Sequence, residues 1–316
     1  MSRKLHKFQT VAEYQAYSAS TDYTTPCVAV VEENNVIYYD YGNNKPQPNY
    51  TDYKVSSKSL VSNGGDTYGL DEKLCLNYIP SGVTSLEDAF SDWSSLEEVT
   101  CEIPSGVTNM NNTFYNCSSL VTAPEIPSGV TKMEYTFNGC SSLVTAPVIP
   151  SGVTNMYSTF ANCSRLVNAP EIPSGVIHMA ETFYGCTSLV TAPEIPSGVI
   201  NMRYTFQGCS SLVNAPVIPS SVTDMRDTFE GCTSLVNAPV IPNSVTNIES
   251  TFSGCTSLKE VTFLRTTPPS YDNTLNGCSS LESIYVPDEA VDTYKTATGW
   301  SQFASKIKPL SEKPSE

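Results

Sequence analysis

The apolar positions of this chain recur on a beat too long for a single helix or strand. The tetrapeptide Ile-Pro-Ser-Gly begins at Ile79, Ile103, Ile126, Ile149, Ile172 and Ile195, and variants begin at Ile218 (Ile-Pro-Ser-Ser) and Ile241 (Ile-Pro-Asn-Ser). The first step is 24 residues and every later one is 23. Phe114, Phe137, Phe160, Phe183, Phe206, Phe229 and Phe252 keep that beat, as do Cys117, Cys140, Cys163, Cys186, Cys209, Cys232, Cys255 and Cys278. The unit reads Ile-Pro-Ser-Gly-Val-Thr-x-Met-x-x-Thr-Phe-x-Gly-Cys-Ser-Ser-Leu-Val-x-Ala-Pro-x, and its copies make about nine coils. A unit this short cannot bury its own apolar face, so the copies must stack as a solenoid.

Within a unit, Met133, Phe137, Cys140 and Leu143 fall at i, i+4, i+7 and i+10, which predicts one face of a short helical turn. A strand through Leu143–Ala146 is predicted to be short and to break at Pro147, because proline has no N–H for the ladder. A second extended piece, Val153-Thr154, follows the Ser-Gly turn. The predicted fold class is an α/β solenoid, with short parallel strand segments and short helical turns. Nine coils rising by about 4.7–4.9 Å each would extend about 40 Å.

The order Leu–Ile-Pro–Val–Phe–Cys on a period of 23 resembles the BspA-like, or treponemal-type, leucine-rich repeat family over about Leu60–Pro287. The resemblance implies a curved, non-catalytic leucine-rich-repeat superhelix, of a kind found mostly on bacterial surfaces and used for binding. This chain departs from the usual pattern by carrying Met where many members have Ile-Gly, and by carrying Ala-Pro in the strand.

The ends differ from the repeats, which gives a three-part organisation: an N-terminal module at 1–59, the solenoid at 60–287, and a cap with a tail at 288–316. Thr10-Val-Ala-Glu13 reads as a capping box opening a short helix with Tyr14 and Tyr17. Cys27–Val31 and Val36–Tyr41 read as a β-hairpin, making the module α+β. This segment looks like small N-terminal modules of structural and surface proteins from gut Bacteroidetes and their phages, which implies an anchoring role. Asp288–Ala297 puts Ala290, Tyr294 and Ala297 on one helical face, and Gly299 ends it. Trp300, Phe303 and Ile307 are then placed to cover the last coil, and residues 310–316 are expected to fray.

Composition removes several functions. With 17 basic and 32 acidic residues the formal charge is −15, which argues against nucleic acid as a partner. No run approaches the roughly 18 apolar residues of a membrane helix, so no membrane insertion is expected. Met1–Thr10 lacks the apolar core of a secretory signal.

The 11 cysteines suggest disulfides or metal at first sight, but eight of them share one column and Trp93 stands in that column in the first coil. A position that accepts either residue is a packing site, so reduced, buried thiols are expected. Cys27, Cys75 and Cys101 lie outside the column and are read as packing too. Cys-x-x-Cys is absent and the histidines are His6 and His178, so neither a metal site nor any other cofactor is predicted. His178 takes the place of Lys132, Asn155, Asn201 and Asp224 in sister coils and is read as a surface histidine, not a catalytic base. Glu125, Glu171 and Glu194 share a column, and strand geometry would bring the last two near 5 Å apart, as in a retaining glycosidase. Val148, Val217 and Val240 fill the same column elsewhere, which favours a solvated face.

The copies also align with one another. Columns that stay constant, including the Phe and Cys columns, are expected in the core; columns that vary face solvent. The freest are the two residues after Met and the one after Phe. They supply the candidate contact residues Tyr135, Tyr157, Tyr184, Tyr204, Arg203 and Arg226, of types enriched at binding hot spots. Unconstrained drift explains the same variation. The polar ladder Thr122, Thr145, Asn168, Thr191, Asn214 and Asn237 is a second candidate face.

The expected function is therefore non-enzymatic binding or structure, with a partner that is a protein or glycan on a cell surface, or a neighbouring virion subunit. The N-terminal resemblance implies a phage fibre or decoration component located on the virion. A bacterial surface adhesin is the alternative, and a carbohydrate-active enzyme a remoter one that only the glutamate column supports.

Overall fold

The computed structural model describes residues 82–314, Leu76 and Ile79, and the backbone of five earlier strands: β1 (Lys4–Phe8), β2 (Cys27–Val31), β3 (Val36–Asp40), β4 (Lys54–Ser57) and β5 (Leu74–Tyr78). The helix expected after Thr10–Glu13 lies outside the described residues. β2 and β3 pair antiparallel, with Val31 opposite Val36, as a hairpin requires. The five strands continue through β6 (Leu96–Val99) as one sheet in the order β1-β2-β3-β4-β5-β6.

The repeats build a solenoid with its core along the axis. In each coil Val, Met, Phe, Cys and Leu point inward, as Val176, Met179, Phe183, Cys186 and Leu189 do with no solvent exposure. The phenylalanines form one continuous stack from Phe90 to Phe252, with ring centroids 5.5–5.9 Å apart. Leu275 takes the place of Phe in the last coil and is also buried. Trp93, standing in for cysteine in the first coil, packs edge-on against Phe90 at 5.0 Å.

The strands follow the prolines. Where Ala-Pro interrupts the segment, neighbouring coils share only single bridges, such as Thr145 with Asn168 and Asn168 with Thr191. Where the segment lacks proline, strands form: β6, β8 (Glu260–Phe263) and β9 (Ser283–Val286). β7 (Asn237–Ile241) contains Pro239, and its register slips between Asn237 and Val240. A residue with no N–H cannot continue a ladder, so it is met at edges and bulges.

The expected helical turn takes another form. The second residue after Met is left-handed in every described coil, although it is never glycine: Asn112, Tyr135, Ser158, Glu181, Tyr204, Asp227 and Ser250 have φ between 50° and 58°. Alternate N–H groups then serve two directions. Thr113, Tyr115 and Cys117 close turns onto Met110, Asn112 and Phe114 in their own coil, while Met110, Asn112, Phe114 and Asn116 donate to Lys132, Glu134, Thr136 and Asn138 of the next. A left-handed L-residue costs about 1–2 kcal/mol, and coil-to-coil hydrogen bonds worth about 0.5–1.5 kcal/mol net each offset it. The i, i+4, i+7 spacing reports which side chains face inward, not a helix.

Two buried columns tie the coils further. Thr136 Oγ1 donates to Met133 O in its own coil and sits 2.9 Å from Met110 O in the previous one, and the other buried threonines repeat the contact. Every column cysteine donates its S–H to the phenylalanine carbonyl of the preceding coil, as Cys140 does to Phe114 O at 3.1 Å.

The C-terminal cap is more ordered than the sequence predicts. Asp288–Ala290 forms a 3₁₀ turn, followed by α1 (Val291–Thr296). Tyr294 and Trp300 are fully buried against Phe263, and Trp300 Nε1 donates to Pro269 O at 2.8 Å. Ile307 covers the last coil by forming β10 (Ile307–Pro309), which extends the parallel sheet β7-β8-β9-β10. Expected fraying at 310–314 is not found: Leu310–Glu312 makes another 3₁₀ turn, and Lys313 pairs with Glu260 at 3.2 Å. The ion pair and the strand edge hold the segment down.

Candidate functional site

The face carrying the variable columns is formed by the turns between Met and Cys, so the left-handed residue in each coil decides where its side chains go. A short-range device fixes the residue after Met. When Asn or Asp precedes Met, its side-chain oxygen accepts that residue's N–H: Asn155 from Tyr157, Asn201 from Arg203, Asp224 from Arg226, at 2.9–3.0 Å. His178 replaces that residue in one coil and carries no such oxygen.

The structure divides the six candidate contact residues. Tyr115, Tyr135 and Tyr157 make an edge-to-face chain, with centroids 6.5 and 5.0 Å apart. Tyr157 OH donates to Glu181 Oε1 at 2.8 Å, and Ser158 Oγ donates to the other oxygen at 2.7 Å. Burial, then the bond to Glu181, pushes the Tyr157 hydroxyl well above the usual tyrosine range, so it stays a donor. Tyr204 lies under the Arg203 guanidinium, 5.5 Å from its ring centroid, and Arg203 also faces Asp224 at 3.8 Å. Arg226 is held by Glu249 at 2.7 Å. Tyr184 is the exposed member, at 39 %.

Two shallow hollows lie on this face and share Glu181 and Tyr204. The first, about 350 Å³, is lined by Asn138, Asn162, Tyr184 and Gln207 around Ala161. The second, about 430 Å³, is lined by Tyr157, His178, Asn201 and Arg203 around Ala180. Each is lined by an alanine from a column that elsewhere carries larger side chains: Asn138 and Gln207 correspond to Ala161, which is itself buried, and Glu134 and Arg203 to the half-buried Ala180. Gly185 (φ +67°) lies against Asn162, whose Oδ1 would stand 2.6 Å from any Cβ added there. Tyr135 and Arg226 line neither hollow. The contact candidates chosen from the sequence are the large residues, and Glu181, Asn162 and the alanines are not among them. The signal that could have found them is the break in column size at Ala161 and Ala180.

The rejected chemistry is also located. His178 is exposed and bridged to Asn155 and Asn201 along the solenoid. Glu125, Glu171 and Glu194 are exposed. A third depression, about 360 Å³, sits on the Ile-Pro corner beside Glu171 and Val148, which is 87 % exposed. Among the described residues no group of three His, Cys, Asp or Glu side chains is placed to hold a metal ion. Nor is any helix among them long and apolar enough to cross a membrane.

The column thiols are chemically quiet. Burial pushes Cys186 and Cys232 up to about 12 and Cys278 up to about 11, and it pushes the other column thiols well above the ordinary range.

Of the comparisons with known proteins, the family model agrees with the repeat. Among curated proteins none shows significant similarity to this chain. It is similar to the solved structure of a leucine-rich repeat protein from Bacteroides ovatus ATCC 8483, with 21 % identity over 85 % of this chain and 77 % of that one and a TM-score of 0.46. A leucine rich cell surface protein from Faecalibacterium prausnitzii A2-165 matches with 18 % identity over 88 % of this chain and 98 % of that one, with a TM-score of 0.32. The family model of the BspA type leucine rich repeat region matches in 6 copies, over residues 73–190 and 179–298. With the period, the stacked columns and a match over most of its length, the chain belongs to the BspA type leucine rich repeat family.

Proposed function

We propose that this chain is a non-catalytic binding protein, displayed on a surface, whose turn face around Tyr204 takes a protein or glycan partner. The observation that carries this reading is the pair of hollows lined by Ala161 and Ala180 in a face otherwise filled by larger side chains. A stacked core that stays constant from coil to coil leaves such local gaps as the feature that distinguishes one stretch of the solenoid from the next. The finer form of the proposal is a virion fibre or decoration component meeting its host, and the alternative is a bacterial surface adhesin. Capsid and tail genes beside the coding sequence would favour the first, and secretion or surface-polysaccharide genes the second.

The binding reading is tested with the full chain, fluorescently labelled and adsorbed to whole gut bacterial and epithelial cells. Replacing Tyr184 by Ser, which its column carries at Ser253, together with Tyr204 by Ser, which the left-handed column carries at Ser158 and Ser250, should reduce adsorption at least tenfold. Melting should stay within about 1–2 °C, since surface changes are usually worth within about 0.5 kcal/mol each. Undiminished adsorption by that variant would refute the assignment of the turn face.

A further inference from the structure

The two hollows differ from the rest of the surface in chemistry as well as in shape. Neither contains an aliphatic side chain larger than alanine, so neither offers the apolar pocket in which protein interfaces seat their anchors. The first hollow has one carboxylate, Glu181, and no cation. That disfavours phosphate, sulfate and other anions there. The second hollow does carry Arg203 and His178, but the Arg203 guanidinium is already engaged by Asp224 and by the Tyr204 ring. The chain's formal charge of −15 opposes anions at longer range. What remains is a set of flat polar groups beside two rings. The amides of Asn138, Asn162 and Gln207 line the first hollow, the Gln207 amide oriented by donating one N–H to Glu230, and an amide carries both donors and an acceptor. That pairing matches adjacent sugar hydroxyls, which also give and accept. The ring faces of Tyr184, and of Tyr204 on the side that the Arg203 guanidinium does not cover, carry the negative side of the ring quadrupole and suit the C–H-rich face of a pyranose.

The shared residues are preorganised. Glu181 is held by one donor on each oxygen, Tyr157 OH and Ser158 Oγ, and each oxygen keeps a lone-pair direction for a ligand hydroxyl. Glu181 and Tyr204 both sit at left-handed backbone positions with φ of 58°, tied to the adjoining coils by main-chain hydrogen bonds. Both volumes lie near the lower end of the about 300–1,000 Å³ range of small-ligand sites, the size of individual sugar rings and not of a folded partner.

We propose that the two hollows are adjacent subsites for a neutral glycan, with a chain of about two or three sugar residues crossing Tyr204 and hydrogen-bonding Glu181 from both sides. This rests on the reading of the turn face as a binding surface and adds the chemical class of the ligand.

The full chain is titrated by calorimetry with neutral tetrasaccharides: β1,4- and α1,4-linked glucose, β1,4-linked mannose and β1,4-linked galactose. A glycan array carrying further neutral and acidic chains is probed in parallel. At least one neutral glycan is expected to bind saturably. Ala161→Gln and Ala180→Arg, which bring in the side chains of sister positions Gln207 and Arg203, should each weaken it at least tenfold. The melting curve should be preserved for Ala180→Arg, while Ala161, being buried, is allowed a lowered melting temperature provided the variant is folded at the titration temperature. Absence of any neutral-glycan binding overturns the proposal, and so does preference for acidic glycans alone or binding that both filled variants retain. If the filled variants lose adsorption to cells while no glycan binds the parent protein, the ligand is a protein: the glycan assignment fails and the binding face stands.

Discussion

Raising the pH above about 9 should progressively destabilise this protein, for a reason built into its core. Eight column thiols are buried, and each donates its proton to the phenylalanine carbonyl of the previous coil, as Cys163 does to Phe137 O at 3.2 Å. Their folded-state pKa values lie above the ordinary 9.0, at about 12 for Cys186 and Cys232. A group whose pKa is raised by folding contributes its stability fully below the unfolded value and loses it as pH climbs toward the folded value. Between about pH 9 and 12, therefore, the unfolded chain sheds protons that the native chain must keep. At one unit above the unfolded value each thiol removes on the order of 1 kcal/mol, and eight together on the order of 10 kcal/mol. That equals the whole stability of a typical domain. Urea titrations followed by fluorescence of buried Trp93 and Trp300 at pH 7, 8.5, 9.5 and 10 would measure the fall. Cys163→Ala with Cys186→Ala should make the fall shallower by about a quarter. Native fluorescence and an unchanged urea midpoint at pH 10 would refute the linkage, and would mean that the thiols ionise in place.

The stacked rings predict a second effect. Phe183, fully buried between rings 5.9 and 5.7 Å away, should cost about 3–5 kcal/mol when truncated to Ala, seen as a lowered urea midpoint, whereas Phe183→Leu, which copies Leu275, should cost much less. Reagents for free thiols at pH 8 should leave the column cysteines of the native protein unlabelled, and all 11 should react after denaturation under reducing-free, oxygen-free conditions. Deleting Asp288–Glu316 removes β10 and Trp300 from the last coil and uncovers Phe263. The truncated protein should elute from a sizing column as oligomer or aggregate, and a stable monomer would show that the segment is not a cap.

The sequence alone determined the period and the composition of the core, because identical apolar columns have one way to be buried when short units stack. The inward set of Met, Phe, Cys and Leu was readable from spacing, and so was the weak strand at Ala-Pro, since a missing N–H is a local property. The backbone of the turn was not readable. Met133, Phe137 and Cys140 carry a helical spacing, yet Tyr135 between them is left-handed, and its N–H is satisfied by Tyr157 O of the next coil. A conformation stabilised by a partner in the next coil leaves no trace in the residue type, so Asn, Tyr, Ser and Glu all occupy it. Ser311 at the far end makes the same point, its N–H held at 3.0 Å by Asp288 across 23 residues. The candidate site is also a property of the stack. Its Tyr and Arg residues stood out one by one, but Ala161, Glu181 and Tyr204 belong to three successive coils, and only stacking at a fixed rise sets two hollows around a shared carboxylate and ring.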